Sequence, residues 1–187
     1  MSEPQRKQPR VLSDFDEIAL RLGWAIDRWG GAEIELASVY VHALAPKDIM
    51  AAYDAFYSVT SFHGKLRMTA AAIERTLAPS SPLRDQWKDI KNRLRSANER
   101  RNRLAHGRMM HVFFENLNGV FWFPFYRPEA LHYAAHPTKH KHLDLNKIEY
   151  LTPADIGVES DKFEALAREV EKFSGDVRAE INGRGRP

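Results

Sequence analysis

Residues 82–107 read PLRDQWKDIKNRLRSANERRNRLAHG. Their apolar positions, Leu83, Trp87, Ile90, Leu94, Ala97 and Leu104, follow one another in steps of three, four and seven. That spacing places them on one face of a helix. Position 101 falls on the same stripe and holds an arginine. A charge in an apolar row is costly unless it is paired or reaches a wet cleft. The helix is expected to stop at Gly107, with the glycine in a left-handed C-terminal turn. Just before it stands His106, the side chain best suited to move protons near neutral pH.

Upstream, Ala78-Pro79-Ser80-Ser81-Pro82 is a loop, and Ser81 is placed to cap the helix that begins at Pro82. Before it, Ile49, Ala52, Tyr53, Phe56, Val59, Phe62, His63, Leu66, Ala70, Ile73 and Leu77 predict one long helix starting at Lys47 or Asp48. The first helix starts at Ser13 or Asp14, with Asp16 and Glu17 at its positive end. Its stripe is Phe15, Ile18, Leu22, Ile26 and Trp29, resuming after Gly30-Gly31 with Ile34, Leu36, Ala37, Tyr40, Val41 and Leu44. A glycine inside a helix costs about 1 kcal/mol relative to alanine, so the pattern fits either one long helix or two with a kink. Ala45-Pro46 ends it.

Downstream the texture changes. Residues 110–126 are rich in Val, Phe, Trp and Tyr, and Asn118-Gly119 between two aromatic runs signals a hairpin turn. Residues 127–142 read as loop and hold His132, His136, His140 and His142. A short third strand is expected within 142–151. Thr152-Pro153-Ala154-Asp155 caps a last helix with the stripe Phe163, Leu166, Val170, Phe173, Val177 and Ile181. The expected fold is therefore mainly all-α, an antiparallel helical bundle with a small β-hairpin insertion. It comprises a flexible tail at 1–12, one domain over 13–182 with the insertion at about 108–152, and a disordered tail at 183–187.

The 187 residues suffice for one domain with a real core, and 43% hydrophobic against 28% charged residues favours folding over disorder. The absence of cysteine excludes disulfides, thiolate chemistry and cysteine-ligated zinc. No apolar run approaches the roughly 20 residues that span a bilayer, and Met1 to Arg10 lacks the apolar core of a signal peptide. A soluble cytoplasmic protein without membrane contact is the expectation. Net charge is only +3, but nine Lys/Arg stand against three acids between Arg84 and Arg108. Such a concentration attracts a polyanion such as RNA, unless it is simply a solvated helix face.

The helix-end sequence Arg101-Asn102-Arg103-Leu104-Ala105-His106-Gly107 resembles the signature of the HEPN superfamily, in which an Arg, often followed by Asn, precedes a His by a few residues. The resemblance covers about residues 13–107, with the last helix completing the bundle; the hairpin and the histidine loop lie outside it. It implies an all-α bundle that homodimerises. It also implies metal-independent endoribonuclease activity, as in members that serve toxin–antitoxin, CRISPR-associated, abortive-infection and RNA-processing systems. RNA, a second copy of the chain and an antitoxin or other protein are the implied partners, with no metal or other cofactor. RNA cleavage without metal needs a base for the 2′-hydroxyl, an acid for the 5′-oxygen and a cation for the developing charge. The resemblance gives His106 the acid/base role and Arg101 the phosphate clamp, a task that suits a guanidinium. Asn102, four residues from His106, would orient the ring or the phosphate. Arg103, Arg100, Arg108 and Arg95 would bind RNA. Residues five apart on a helix lie about 140° apart around its axis. Arg101 and His106 of one helix therefore do not converge unless the last turn distorts at Gly107 or two copies meet. The resemblance favours two copies forming one composite cleft.

Other readings stand beside this one. The bundle could be a non-catalytic module binding RNA or protein, or a purely structural dimer. Arg101 could be a core arginine paired with Glu33, on the Ile26-Trp29-Leu36-Tyr40 stripe, or with Glu99, and His106 could cap the last carbonyls. His136, His140 and His142 have a conceivable metal spacing, but Lys139 and Lys141 disfavour a cation there. His111 either enters the motif's cleft or faces solvent from a strand, and His63 reads as structural. Trp122, Phe123, Phe125 and Tyr126 either stack on bases or pack against the bundle. There is no phosphate-cradling glycine loop and no nucleophile elbow.

Overall fold

A computed structural model of the chain describes residues 13–114, 117–124 and 149–183. Helix α1, Asp14–Leu44, runs unbroken through Gly30-Gly31. Ser13 and Asp16 cap each other's backbone at its start. At its end Ala45 adopts the left-handed conformation, φ 44°, and its N–H donates to Val41 O at 3.0 Å. The single helix expected over 47–77 is in fact two, α2 (Ile49–Ser58) and α3 (Phe62–Thr76). The apolar period continues through the break, but Val59 is extended and the Ser61 hydroxyl accepts from Gly64 N at 3.1 Å. A side-chain cap thus starts a new helix where periodicity alone shows none.

Helix α4, Pro82–Ala105, follows the Ser81 cap. Strands β1 (Arg108–Phe114) and β2 (Leu117–Phe123) form an antiparallel pair. Helix α5, Pro153–Gly183, closes the bundle. Thr152 and Asp155 make the expected reciprocal cap, with Asp155 N donating to Thr152 Oγ1 at 3.2 Å and Thr152 N to Asp155 Oδ2 at 2.9 Å. The mainly-α architecture with a small hairpin matches the sequence reading.

Successive helices alternate in direction. Phe62 and Lys65 of α3 meet Trp29 and Glu33 of α1. On α5, Ser160, Ala167 and Ser174 lie against Arg28, Gly31 and His42 in that order, so α1 and α5 run parallel. Helix α4 runs against α5, with Trp87 stacked on Phe173 at 5.7 Å between ring centroids and Ser81 bonded to Glu180 at 2.8 Å. Trp29 sits between Phe62 and Phe163 in the core, at 4.7 and 5.6 Å. The end of α4 therefore shares one pole of the bundle with the starts of α1 and α5.

The hairpin differs from its expected register. Phe114 pairs with Leu117 and Val112 with Gly119, so Asn118-Gly119 lies inside β2 and is not the turn. Gly119 has φ +148°, open to glycine and strained for any other residue. Of the expected third strand, the described part is one bridge: Leu151 and Trp122 exchange backbone hydrogen bonds of 2.9 and 2.7 Å. Of the tails expected at 1–12 and 183–187, Gly183 is instead the last residue of α5, and the rest, with the histidine loop, lies outside the described residues. No helix among the described residues is long and apolar enough to cross a membrane.

Candidate functional site

The α4 stripe read from sequence is the buried one: Trp87, Ile90, Leu94, Ala97 and Leu104 are all buried, and Leu83 packs against them. Its last turn is gripped by the hairpin. The Trp122 indole N–H donates to Arg103 O at 3.3 Å. The same ring covers Gly107 so closely that a Cβ there would lie 2.3 Å from Trp122 Nε1 and 2.6 Å from Phe123 O. Gly107 is thus required by contact. It does not adopt the left-handed conformation expected for it, since Gly119 is the glycine with positive φ among the described residues.

Arg101 lies half-buried in the apolar row. Its Nη1 donates to Asn102 Oδ1 at 3.1 Å, and its Nε is buried without a partner. The two acids named for it do not serve. Glu33 pairs with Lys65, a buried lysine that also sits 5.3 and 5.2 Å over the Phe56 and Tyr57 rings. Glu99 is exposed and makes no ion pair with Arg101. Among the described residues the guanidinium has no carboxylate partner. His106 ends the helix with φ −115° and ψ 17°, and its backbone N–H donates to Asn102 O at 3.0 Å. It is exposed, and its side chain bonds no carbonyl among the described residues. The motif therefore presents, among the described residues, an imidazole without a partner and a half-buried arginine without a carboxylate at one helix end; the Asn102 side chain bonds the guanidinium, and its backbone carbonyl accepts from the His106 backbone N–H.

The flanking arginines divide. Arg100 Nε lies 2.8 Å from Glu159 Oε2, although off the hydrogen-bonding line, and its Nη1 donates to Ser96 Oγ at 2.8 Å. Arg103 pairs with Glu149. Arg93 bonds Glu169 at 2.6 Å. Arg93, Ser96, Arg100 and Lys162 line a shallow concavity of about 270 Å³ between α4 and α5, with their charges largely met by Glu159 and Glu169. Arg95 is exposed and makes no ion pair among the described residues. Arg108 is exposed on β1, paired across to Phe123.

His63 is exposed on α3, and His111 is exposed with its ring 6.4 Å from that of Phe15. Trp122 packs on the helix end, which occupies the ring that was a candidate for base stacking. Phe125, Tyr126, His132, His136, His140 and His142 lie outside the described residues. Lys91 was counted only within the basic stretch and Asn98 was not singled out; Lys91 four residues before Arg95, and Asn98 three after it and four before Asn102, was the available signal. The chain matches no family model, no curated protein and no solved structure.

Proposed function

We propose that the protein is a HEPN-type endoribonuclease that cleaves RNA without a metal ion, at a cleft completed by a second copy of the chain. The observation that carries this reading is Arg101: a half-buried guanidinium in an apolar row, with no carboxylate partner among the described residues, beside an exposed histidine. A structural arginine in that position would be neutralised. An arginine left for a ligand accepts phosphate oxygens in its fork.

In the proposed reaction His106 takes the proton of a 2′-hydroxyl. The 2′-oxygen bonds to phosphorus and the 5′-oxygen leaves, protonated by an imidazolium, giving a 2′,3′-cyclic phosphate and a 5′-hydroxyl. Arg101 holds the non-bridging oxygens as charge develops, and the Asn102 amide fixes the guanidinium. Since Arg101 and His106 of one helix diverge by about 140°, Arg101 of one protomer serves with His106 of the other.

The test is cleavage of labelled total RNA and tRNA in EDTA. Wild type is expected to leave cyclic-phosphate ends, and His106→Ala and Arg101→Ala to leave the RNA intact. Mixing the two inactive variants restores activity if the residues act across a dimer and does not if they act within one chain. A folded wild-type protein that cleaves none of these RNAs refutes the ribonuclease reading.

A further inference from the structure

Helix α4 carries two polar stripes, one on each side of its buried face. The first, Asp89, Arg93, Ser96, Arg100 and Arg103, turns toward α5, and its three arginines are met by Glu169, Glu159 and Glu149. The second runs Lys88, Lys91, Arg95, Asn98, Asn102 and His106, in steps of three, four, three, four and four, with Arg84 four residues before Lys88. At about 100° and 1.5 Å per residue these six lie within an arc of roughly 80° and extend about 27 Å along the helix.

Among the described residues the second stripe has one ion pair, at its first member. Lys91, Arg95 and His106 make no ion pair among the described residues. Lys88 has only Asp85, in a pair whose side chains are 68% and 81% exposed and which water and salt weaken. Glu99 borders the arc without bonding to it. Arg84 adds a further cation at the far end, where it binds backbone carbonyls of Glu74 and Leu77 and, among the described residues, no carboxylate.

We propose that this stripe is a track for the sugar–phosphate backbone of an RNA strand, leading along α4 to His106. Lys88, Lys91 and Arg95 take successive phosphates, and Asn98 and Asn102 offer amides to phosphate and 2′-hydroxyl oxygens nearer the motif. Contacts of this kind position a strand and carry no sequence information. The proposal rests on the preceding reading for the identity of the polyanion, and not on cleavage. It also reassigns two residues singled out from sequence: Arg100 and Arg103 are held by α5 and by Glu149, whereas Arg95 belongs to the track.

The test uses the full chain and a fluorescent 20-nucleotide 2′-O-methyl RNA of mixed sequence, which cannot be cleaved, so binding is read apart from chemistry. Anisotropy titrations across a salt series compare wild type with two double variants of equal charge change, Lys91→Gln/Arg95→Gln and Arg93→Gln/Lys162→Gln. Each phosphate contact on a single strand contributes about 0.7 to the slope of log K against log salt. The track variant is expected to lose about 1.4 of slope and about tenfold in affinity near 0.15 M salt. The α5-side variant keeps the wild-type slope. Thermal melts show whether each variant is folded, and Lys91→Gln and Arg95→Gln singly, each losing half the slope, provide the reading should the double variant unfold. Equal losses in both doubles would mean a diffuse field and overturn the track. So would a wild type that ignores RNA, or that binds only anionic vesicles or an acidic polypeptide. Binding with the expected slopes but no cleavage of natural RNA would leave the track standing and remove the ribonuclease reading.

Discussion

Replacing Gly107 by alanine tests how the motif is held. The added Cβ would lie 2.3 Å from Trp122 Nε1, 2.5 Å from Trp122 Cε2 and 2.6 Å from Phe123 O. The last of these is backbone, so no rotamer change clears the contact, and β2 must move off the helix end. Forcing a methyl group into a filled site costs about 1–3 kcal/mol. The movement also breaks the indole bond to Arg103 O, worth about 0.5–1.5 kcal/mol. A loss of about 2–4 kcal/mol follows, which lowers the urea midpoint by about 1–2 M for a slope near 2 kcal/mol/M. Gly30→Ala is the matched control, because nothing lies within 4 Å of a Cβ there. That substitution in mid-α1 should stabilise by about 0.5–1 kcal/mol. Urea unfolding followed by tryptophan fluorescence measures both. A Gly107→Ala midpoint within 0.2 M of wild type would refute the claim that Trp122 fixes the end of α4.

Three further outcomes are expected. Glu33→Gln leaves the Lys65 ammonium without its partner; with side-chain exposures of 27% for Glu33 and 9% for Lys65, the loss should be about 1–3 kcal/mol in a urea titration, and an unchanged midpoint would contradict it. Burial pushes the His42 imidazole below its ordinary value near 6.5, with Arg178 adding to the effect against a 2.9 Å bond to Ser174. The unfolded chain then takes up that proton first, so this contribution is complete above about pH 6.5 and is lost as pH falls from there through the folded-state value; melts at pH 5 to 7.5 should lose part of their slope in His42→Gln. Arg101→Met keeps the apolar stem and removes a buried Nε with no partner, so it should be neutral or stabilising by about 1 kcal/mol while abolishing cleavage. A destabilised Arg101→Met protein would make the arginine architecture.

Much of the fold was legible because it rests on local chemistry. The caps at Ser13, Ser81 and Thr152 and the buried stripe of α4 lie where spacing and residue type put them. The misreadings share a cause. The apolar period of 49–77 has no phase jump at Val59–Ser61, so only the Ser61 cap divides it. Asn118-Gly119 is a turn signal in isolation, but strand pairing placed Gly119 opposite Val112. Gly107 reads as a left-handed terminator until Trp122, fifteen residues on, is laid over it. The motif's helix end was legible as a helix end; the state of its arginines was not. Arg100 and Arg103 are answered by Glu159 and Glu149, and Glu33 is claimed by Lys65, pairings that local sequence does not reveal.

The energetics of the bundle explain one flank of α4 and leave the rest of its surface open. Toward α5 each arginine finds a carboxylate, as a helix in a stable bundle should arrange. A helix serving only that bundle would place an apolar residue at 101, since the row around it is otherwise buried and, among the described residues, the guanidinium bonds the neighbouring amide and no carboxylate. It would also pair Lys91 and Arg95 with acids, whereas Glu99, four residues past Arg95, makes no ion pair with either among the described residues. Both departures lie on or beside the stripe that ends in an exposed histidine. The proposed track would account together for Lys91 and Arg95 without ion pairs, for Arg101 without a carboxylate and for the exposed His106 among the described residues, whereas separate structural reasons would have to be found for each.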